Sequence, residues 1–150
     1  MKQPRHCILL LLSVWNITHL GLTESHDFLR QMMNLINMLL LAKDVDNAKI
    51  VLEQYETLVL KHRSDTSLDY GICKLSRGII GMMEGKPEPA EMNLLGAESI
   101  IGNAMGIDND YMKTTYWYLN NLYTRWKKPK KAIEYRDKFL GVKQSLSKQE

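Results

Sequence analysis

Three short segments spaced 42 residues apart constrain this chain more than any other feature. They are "DVDNAKIVL" (Asp44 to Leu52), "GKPEPAEMNLL" around Ala90 and "KKPKKAIEYRD" around Ala132. In each, a turn-forming stretch leads into an alanine and then into a helix-like run. Four residues beyond the alanines stand Leu52, Leu94 and Arg136, and seven beyond stand Tyr55, Ala97 and Phe139. A small residue early in one helix lets its partner approach closely, and bulkier residues one or two turns later fill the space beside it. A two-helix hairpin of this kind cannot cover its apolar side alone and must stack on a neighbour.

Helix breakers divide the rest of the chain into segments of helical length. The first runs from about Arg5 to Leu22. Ser25 is placed to cap the second, in which Phe28, Met32, Leu35 and Leu39 fall on one stripe. Asp44 or Asp46 caps the third, whose stripe is Ala48, Leu52, Tyr55 and Val59. A fourth begins near Ser67 and stops at Gly85, with Pro87 beyond it. The fifth spans about Pro89 to Gly106, Asp108 opens a sixth through Trp126, and Pro129 starts a seventh ending around Ser145. With 150 residues and 45% hydrophobic content, the chain is the size of one globular domain and apolar enough to bury a core. The expectation is an all-α fold of about seven helices in a single domain, residues 1–150. Residues 1–24 supply one helix of an incomplete hairpin, and residues 26–146 form three hairpins of period 42.

The alanine opening the second helix, with an aromatic or large apolar residue four positions on and another apolar residue seven on, resembles the tetratricopeptide repeat over roughly Phe28 to Leu146. The period is longer than that family's, Arg136 departs from its apolar preference, and the first-helix Gly/Tyr positions are poorly kept. The resemblance implies a right-handed α-solenoid whose first helices line a concave, peptide-binding face. Within it, "NAKIVLEQYETLV" and "LDYGICKLSRGIIGMMEGKPEPAEMNLLGAESIIGNAMG" resemble the C-terminal sensing domain of Rgg/PlcR-type peptide-responsive transcription regulators. Those regulators begin with a DNA-binding helix-turn-helix domain, and nothing in this sequence resembles one. The implied role is the sensing and dimerising part of such a regulator, without its DNA-binding part.

No local pattern supports catalysis. His6, His19, His26 and His62 show neither HExxH nor i, i+4 pairing, and no cysteine joins them in a zinc pattern. No GxSxG, phosphate-binding loop or Rossmann fingerprint occurs. Gly78 and Gly81 lie within a helical run and read as sites of close helix packing. Cys7 and Cys73 make no CxxC pair, which favours a reduced, cytoplasmic setting. The expectation is therefore a non-enzyme without cofactor or metal. The run "CILLLLSVWNITHLGL" after Lys2 and Arg5 has the look of a signal peptide but lacks an A-x-A-like cleavage site. Trp15, Asn16 and His19 interrupt it short of the ~20 apolar residues that span a bilayer. Secretion remains the alternative if residues 1–22 are cleaved. From Ile107 onward ten Lys and Arg face five Asp and Glu, so that part carries +5 and the remainder −2, for a net +3. Its most basic stretch, "RWKKPKK", reads as a solvated turn, with phosphate binding at the helix start of Pro129 as the other option.

Stepping back eighteen residues from each repeat alanine and then forward by three, four and three traces one face. It reads Arg30, Met33, Asn37 and Leu40, then Ile72, Leu75, Ile79 and Met82, then Thr114, Trp117, Asn121 and Thr124 with Arg125 alongside. Asparagine can donate to and accept from a peptide backbone, and arginine can pair bidentately with a carboxylate. The expected ligand is a short hydrophobic peptide or protein segment held by Arg30, Met33, Asn37, Ile79, Met82, Trp117, Asn121 and Arg125. Met32, Met33, Met38, Met82 and Met83 either fill the core or make an adaptable apolar surface. The partner expectations are a homodimer that covers Ile8, Leu11, Leu12 and Trp15, no direct nucleic-acid binding and no membrane. A free-standing scaffold for protein–protein contact is the alternative function.

Overall fold

The computed structural model describes residues 26–149. They form six helices: α1 (His26–Leu41), α2 (Val45–His62), α3 (Leu68–Met83), α4 (Pro87–Met105), α5 (Asp110–Arg125) and α6 (Pro129–Ser147). No strand occurs among the described residues, as the all-α expectation requires. The 42-residue interval governs the boundaries themselves: α1, α3 and α5 begin at residues 26, 68 and 110, and α2, α4 and α6 at 45, 87 and 129. The helix expected over residues 5–22, with the dimer surface assigned to it, lies outside the described residues.

The three turns within pairs are one structure used three times. Each has three residues between helices, and in each a single residue enters the left-handed region: Lys43 (φ 59°), Gly85 (φ 70°) and Lys127 (φ 58°). In each turn the following N–H reaches back five residues, from Asp44 to the Leu39 carbonyl, Lys86 to Gly81, and Lys128 to Tyr123, at 2.8–2.9 Å. This ties off the last carbonyls of the first helix and aims the chain back along it. Glycine takes the left-handed conformation freely at position 85, whereas Lys43 and Lys127 hold it against a Cβ clash.

The helix starts differ by position. Asp44 caps α2 as expected and Ser67 caps α3, each accepting from the backbone N–H three residues on. The α5 cap is Asn109 instead of Asp108: its Oδ1 accepts from the Met112 N–H at 2.9 Å, and its Nδ2 donates to the Gly106 carbonyl. The second helices α4 and α6 start with Lys86 and Lys128, which make no side-chain cap. Proline at the first helical position stands in for the cap, because its fixed φ suits the helix and it has no N–H to satisfy. The α4 start thus falls two residues before the expected Pro89.

The chain divides into two compact units at Arg63 and Ser64. In the first, α1 packs on α2, with Phe28, Met32, Ile36 and Leu39 buried on one helix and Ala48, Leu52, Tyr55 and Val59 on the other. In the second, α3 pairs with α4 and α5 with α6, while α5 also touches both α3 and α4. The α3–α4 contact is the most intimate. A Cβ built on Gly81 would meet the Ala90 backbone at 3.1 Å, one on Gly78 would meet Leu94 at 2.6 Å, and one on Gly71 would meet Ile101 at 2.7 Å. The paired numbers run in opposite directions, which fixes the helices antiparallel and confirms close packing as the use of Gly78 and Gly81.

The repeat alanines are all buried: Ala48 and Ala90 expose nothing and Ala132 only 8%. The positions four residues later diverge. Leu52 and Leu94 are fully buried, but Arg136 is exposed and Tyr135 turns inward in its place. The buried stripe of α6 is consequently Ala132, Tyr135 and Val142, with Phe139 partly covered.

Two outcomes follow for stability. Ala90→Leu should cost about 1–3 kcal/mol, because the Gly81 backbone leaves no room for the larger side chain. Lys127→Gly should instead stabilise by about 0.5–1 kcal/mol, since relief of the left-handed strain exceeds the added freedom of the unfolded chain. Urea titration of both variants measures these changes. An unchanged midpoint for Ala90→Leu would mean that α3 and α4 do not meet at this register.

Candidate functional site

The expected ligand-binding residues fall in both units. In the first unit, Arg30 is exposed and pairs with Asp27 at 2.7 Å. Both side chains are more than 70% accessible, so the pair contributes about 0–1 kcal/mol and its arginine can be recruited by another carboxylate. Asn37 is exposed and Met33 half-buried. Leu40, between them and the end of the helix, belongs to the core.

The remaining five lie on α3 and α5 of the second unit, two helices in contact, and of these Met82 and Arg125 line a common cavity. Ile79 and Met82 are half-buried, each with one side against the core cluster. Ile72 and Leu75, which the traced face also contained, are buried at 9% and 6% exposure and serve packing. On α5, Trp117, Asn121 and Arg125 follow one another at intervals of four residues, one turn apart. Trp117 is 45% exposed and meets Tyr118 edge-on with ring centres 4.9 Å apart. The Asn121 amide donates to the Trp117 carbonyl at 2.8 Å, and its oxygen makes no hydrogen bond to a described residue. Arg125, in the last turn, is exposed and makes no ion pair with a described residue. The methionines divide likewise: Met32 fills the core, whereas Met38 and Met83 are exposed.

Where α3 and α5 end, a cavity of about 210 Å³ opens between Met82, the Gly85–Pro87 turn, Leu122, Arg125 and Trp126. Its wall is apolar, with two cations and no carboxylate among the lining residues. Arg125 and Met82 were on the traced face; Lys86, Pro87, Leu122 and Trp126 were not. A signal for Lys86 and Pro87 existed, since the 42-residue register sets "KP" at 86–87 and at 128–129 in equivalent turns, each beside the end of a first helix.

Apart from this face, α5 is fastened by a partly buried polar seam with no counterpart in the sequence reading. Glu91 and Glu98 stand two turns apart on α4. Tyr123 of α5 donates to Glu91 at 2.7 Å, and Tyr135 of α6 donates to Glu98 at 3.1 Å. Lys131 and Lys138, also seven apart, approach the same carboxylates at 3.7 and 3.8 Å. Lys131 lies over the Tyr123 ring and Lys138 over those of Tyr135 and Tyr116. Burial and then the adjoining glutamates push both Tyr123 and Tyr135 well above the ordinary phenol range. Burial opposes the Lys138 charge, but Glu134 and Glu98 outweigh it and hold the ammonium above its usual value. In "RWKKPKK", Lys128 sits 3.5 Å over the Trp126 ring and Lys131 belongs to the seam, so two of its cations are already engaged within the fold.

Among the described residues no group of His, Cys, Asp and Glu is placed to hold a metal ion. Nor is any of their helices long and apolar enough to cross a membrane.

The seam sets an alkaline limit on stability. The unfolded chain releases a tyrosine proton near pH ~10, whereas the folded protein keeps it to a higher pH. The stabilisation is therefore complete below pH ~10 and is lost as pH rises beyond it. The Lys138 shift acts in the same direction. Urea unfolding at pH 8 and pH 11 should show a marked loss at the higher pH. The Tyr123→Phe, Tyr135→Phe double variant should lose about 1–3 kcal/mol at pH 8 and decline less steeply with pH. An equal decline in both proteins would detach the seam from the titration.

No family model, characterised protein or solved structure matches the chain.

Proposed function

We propose that this protein is a binding module that holds an extended apolar peptide or protein segment across the α3–α5 face and performs no reaction. The observation that carries the reading is Trp117. A large aromatic left nearly half exposed, one turn from a backbone-reading amide and two turns from an arginine with no ion pair among the described residues, has the composition of an interaction anchor. Ile79 and Met82 on the adjacent helix give the apolar floor, and Asn121 has an oxygen to offer a peptide N–H. In the first unit, taken by itself, exposed Arg30 and Asn37 with half-buried Met33 offer ligand contacts of the same kind.

Within that reading, the favoured biological role is the cytoplasmic sensing and dimerising part of a peptide-responsive bacterial transcription regulator, acting without cofactor or metal. Its support is the resemblance of residues 47–106 together with the exposed anchor. A scaffold that joins two proteins is the second reading. It is favoured by α6, where Ile133 and Leu140 remain about half exposed two turns apart.

Calorimetry against a library-selected hydrophobic peptide of about five to ten residues tests the face. Trp117→Ala should weaken binding by about 2 kcal/mol while the helical content stays unchanged. Asn121→Ala should weaken it by a smaller amount. Equal affinity in wild type and both variants would place the ligand elsewhere and favour the scaffold.

A further inference from the structure

We infer that the cavity at the ends of α3 and α5 is a receptor for a peptide C-terminus, taking one apolar side chain between Met82, Pro87, Leu122 and Trp126 and the terminal carboxylate on Arg125 and Lys86. This rests on the peptide-binding reading and adds to it a terminus, a direction and a residue class.

Size argues first. At about 210 Å³ the space exceeds the ~150 Å³ that admits a benzene ring and falls short of the ~300–1,000 Å³ of sites for whole small molecules. It suits a single side chain. Its wall is apolar, which selects a leucine- or phenylalanine-like group over a polar one.

Charge argues second. The only charged lining residues are Arg125 and Lys86. Lys86, itself more than half exposed, has one long ion-pair contact to Glu84 at 3.8 Å, and Arg125 has none among the described residues. The helix ends do not supply this bias. The last carbonyls of α3 and α5 are tied into their turns, and Pro87 and Pro89 deprive the α4 start of two of its donors. An anion entering here is therefore met by side-chain cations, and a free carboxylate is the group that arginine pairs with bidentately.

Position argues third. Arg125 ends the series Trp117, Asn121, Arg125, so a peptide crossing that face reaches the cavity last. Its chain would run from Trp117 towards the turn at Lys86, with the C-terminus leading.

The test uses acetyl-Leu-Leu-Leu as free acid and as amide, and acetyl-Leu-Leu-Gly as free acid. Binding is followed by NMR of the methionine methyls and tryptophan indoles. The leucine acid should shift Met82 and Trp126 and bind about tenfold more tightly than either comparison peptide. Arg125→Gln should abolish the preference for acid over amide, and raised salt should narrow it. Acid and amide binding equally at Met82 and Trp126 would overturn the carboxylate assignment. Shifts at Trp117 without Met82 or Trp126 would overturn the cavity assignment while leaving the peptide face standing. No shift at any of these residues would overturn both.

Discussion

At residues 43, 85 and 127 the backbone leaves a helix through one left-handed residue, and the arrangement of each pair depends on that step. The turn is three residues long each time, and its five-residue back-bond fixes where the second helix begins relative to the first. Once this is set, the alanine three residues into the second helix must face the end of the first. In the middle pair it faces Gly81, and the two backbones close to contact distance. The equivalent positions in the other pairs are Leu39 and Tyr123, both buried, so the same turn accommodates side chains of very different size.

That difference explains why the second unit needs more than apolar packing. With glycines at 71, 78 and 81, the α3–α4 pair gains intimacy, while Leu75, Ile79 and Met82 are the α3 side chains that reach the core of this unit. The α6 helix carries Arg136 where an apolar residue would have packed. The polar seam makes up the deficit. Two tyrosine hydroxyls reach carboxylates on α4, and each such charge-assisted bond is worth more than a neutral one. The lysine contacts to the same glutamates are longer and half exposed, so they contribute less to stability than the phenol bonds.

Much of the helical frame was readable from residues. Spacing of alanines, prolines and the stop at Gly85 located all six described helices, because capping and turn chemistry act within a few residues of each boundary. Asn109 displaced Asp108 as a cap since either side chain can accept the bond, and local sequence does not decide between adjacent candidates. The traced face was readable only in part. Periodicity marked Leu40, Ile72 and Leu75 as lying in line with Met33 and Met82, but burial depends on which neighbour arrives from elsewhere in the chain. The cavity lining and the seam join residues more than thirty positions apart, and no short-range pattern encodes such a meeting.

The helix α5 has two sides with opposite characters, and the proposed binding role rests on their coexistence. One side carries Met112, Tyr116, Leu119 and Tyr123 into the core and is held by contacts to α3, α4 and α6. The other carries Trp117, Asn121 and Arg125 towards the open. A side chain on a helix packed from three directions already has its backbone fixed, so a ligand that meets it orders little more than the side chains themselves. Exposed apolar residues on α6, such as Leu140, lack that support because α6 packs chiefly on one neighbour. Equal exposure therefore does not make equal anchors, and the backing of α5 is the physical reason that the proposed ligand is placed at Trp117 and not on α6.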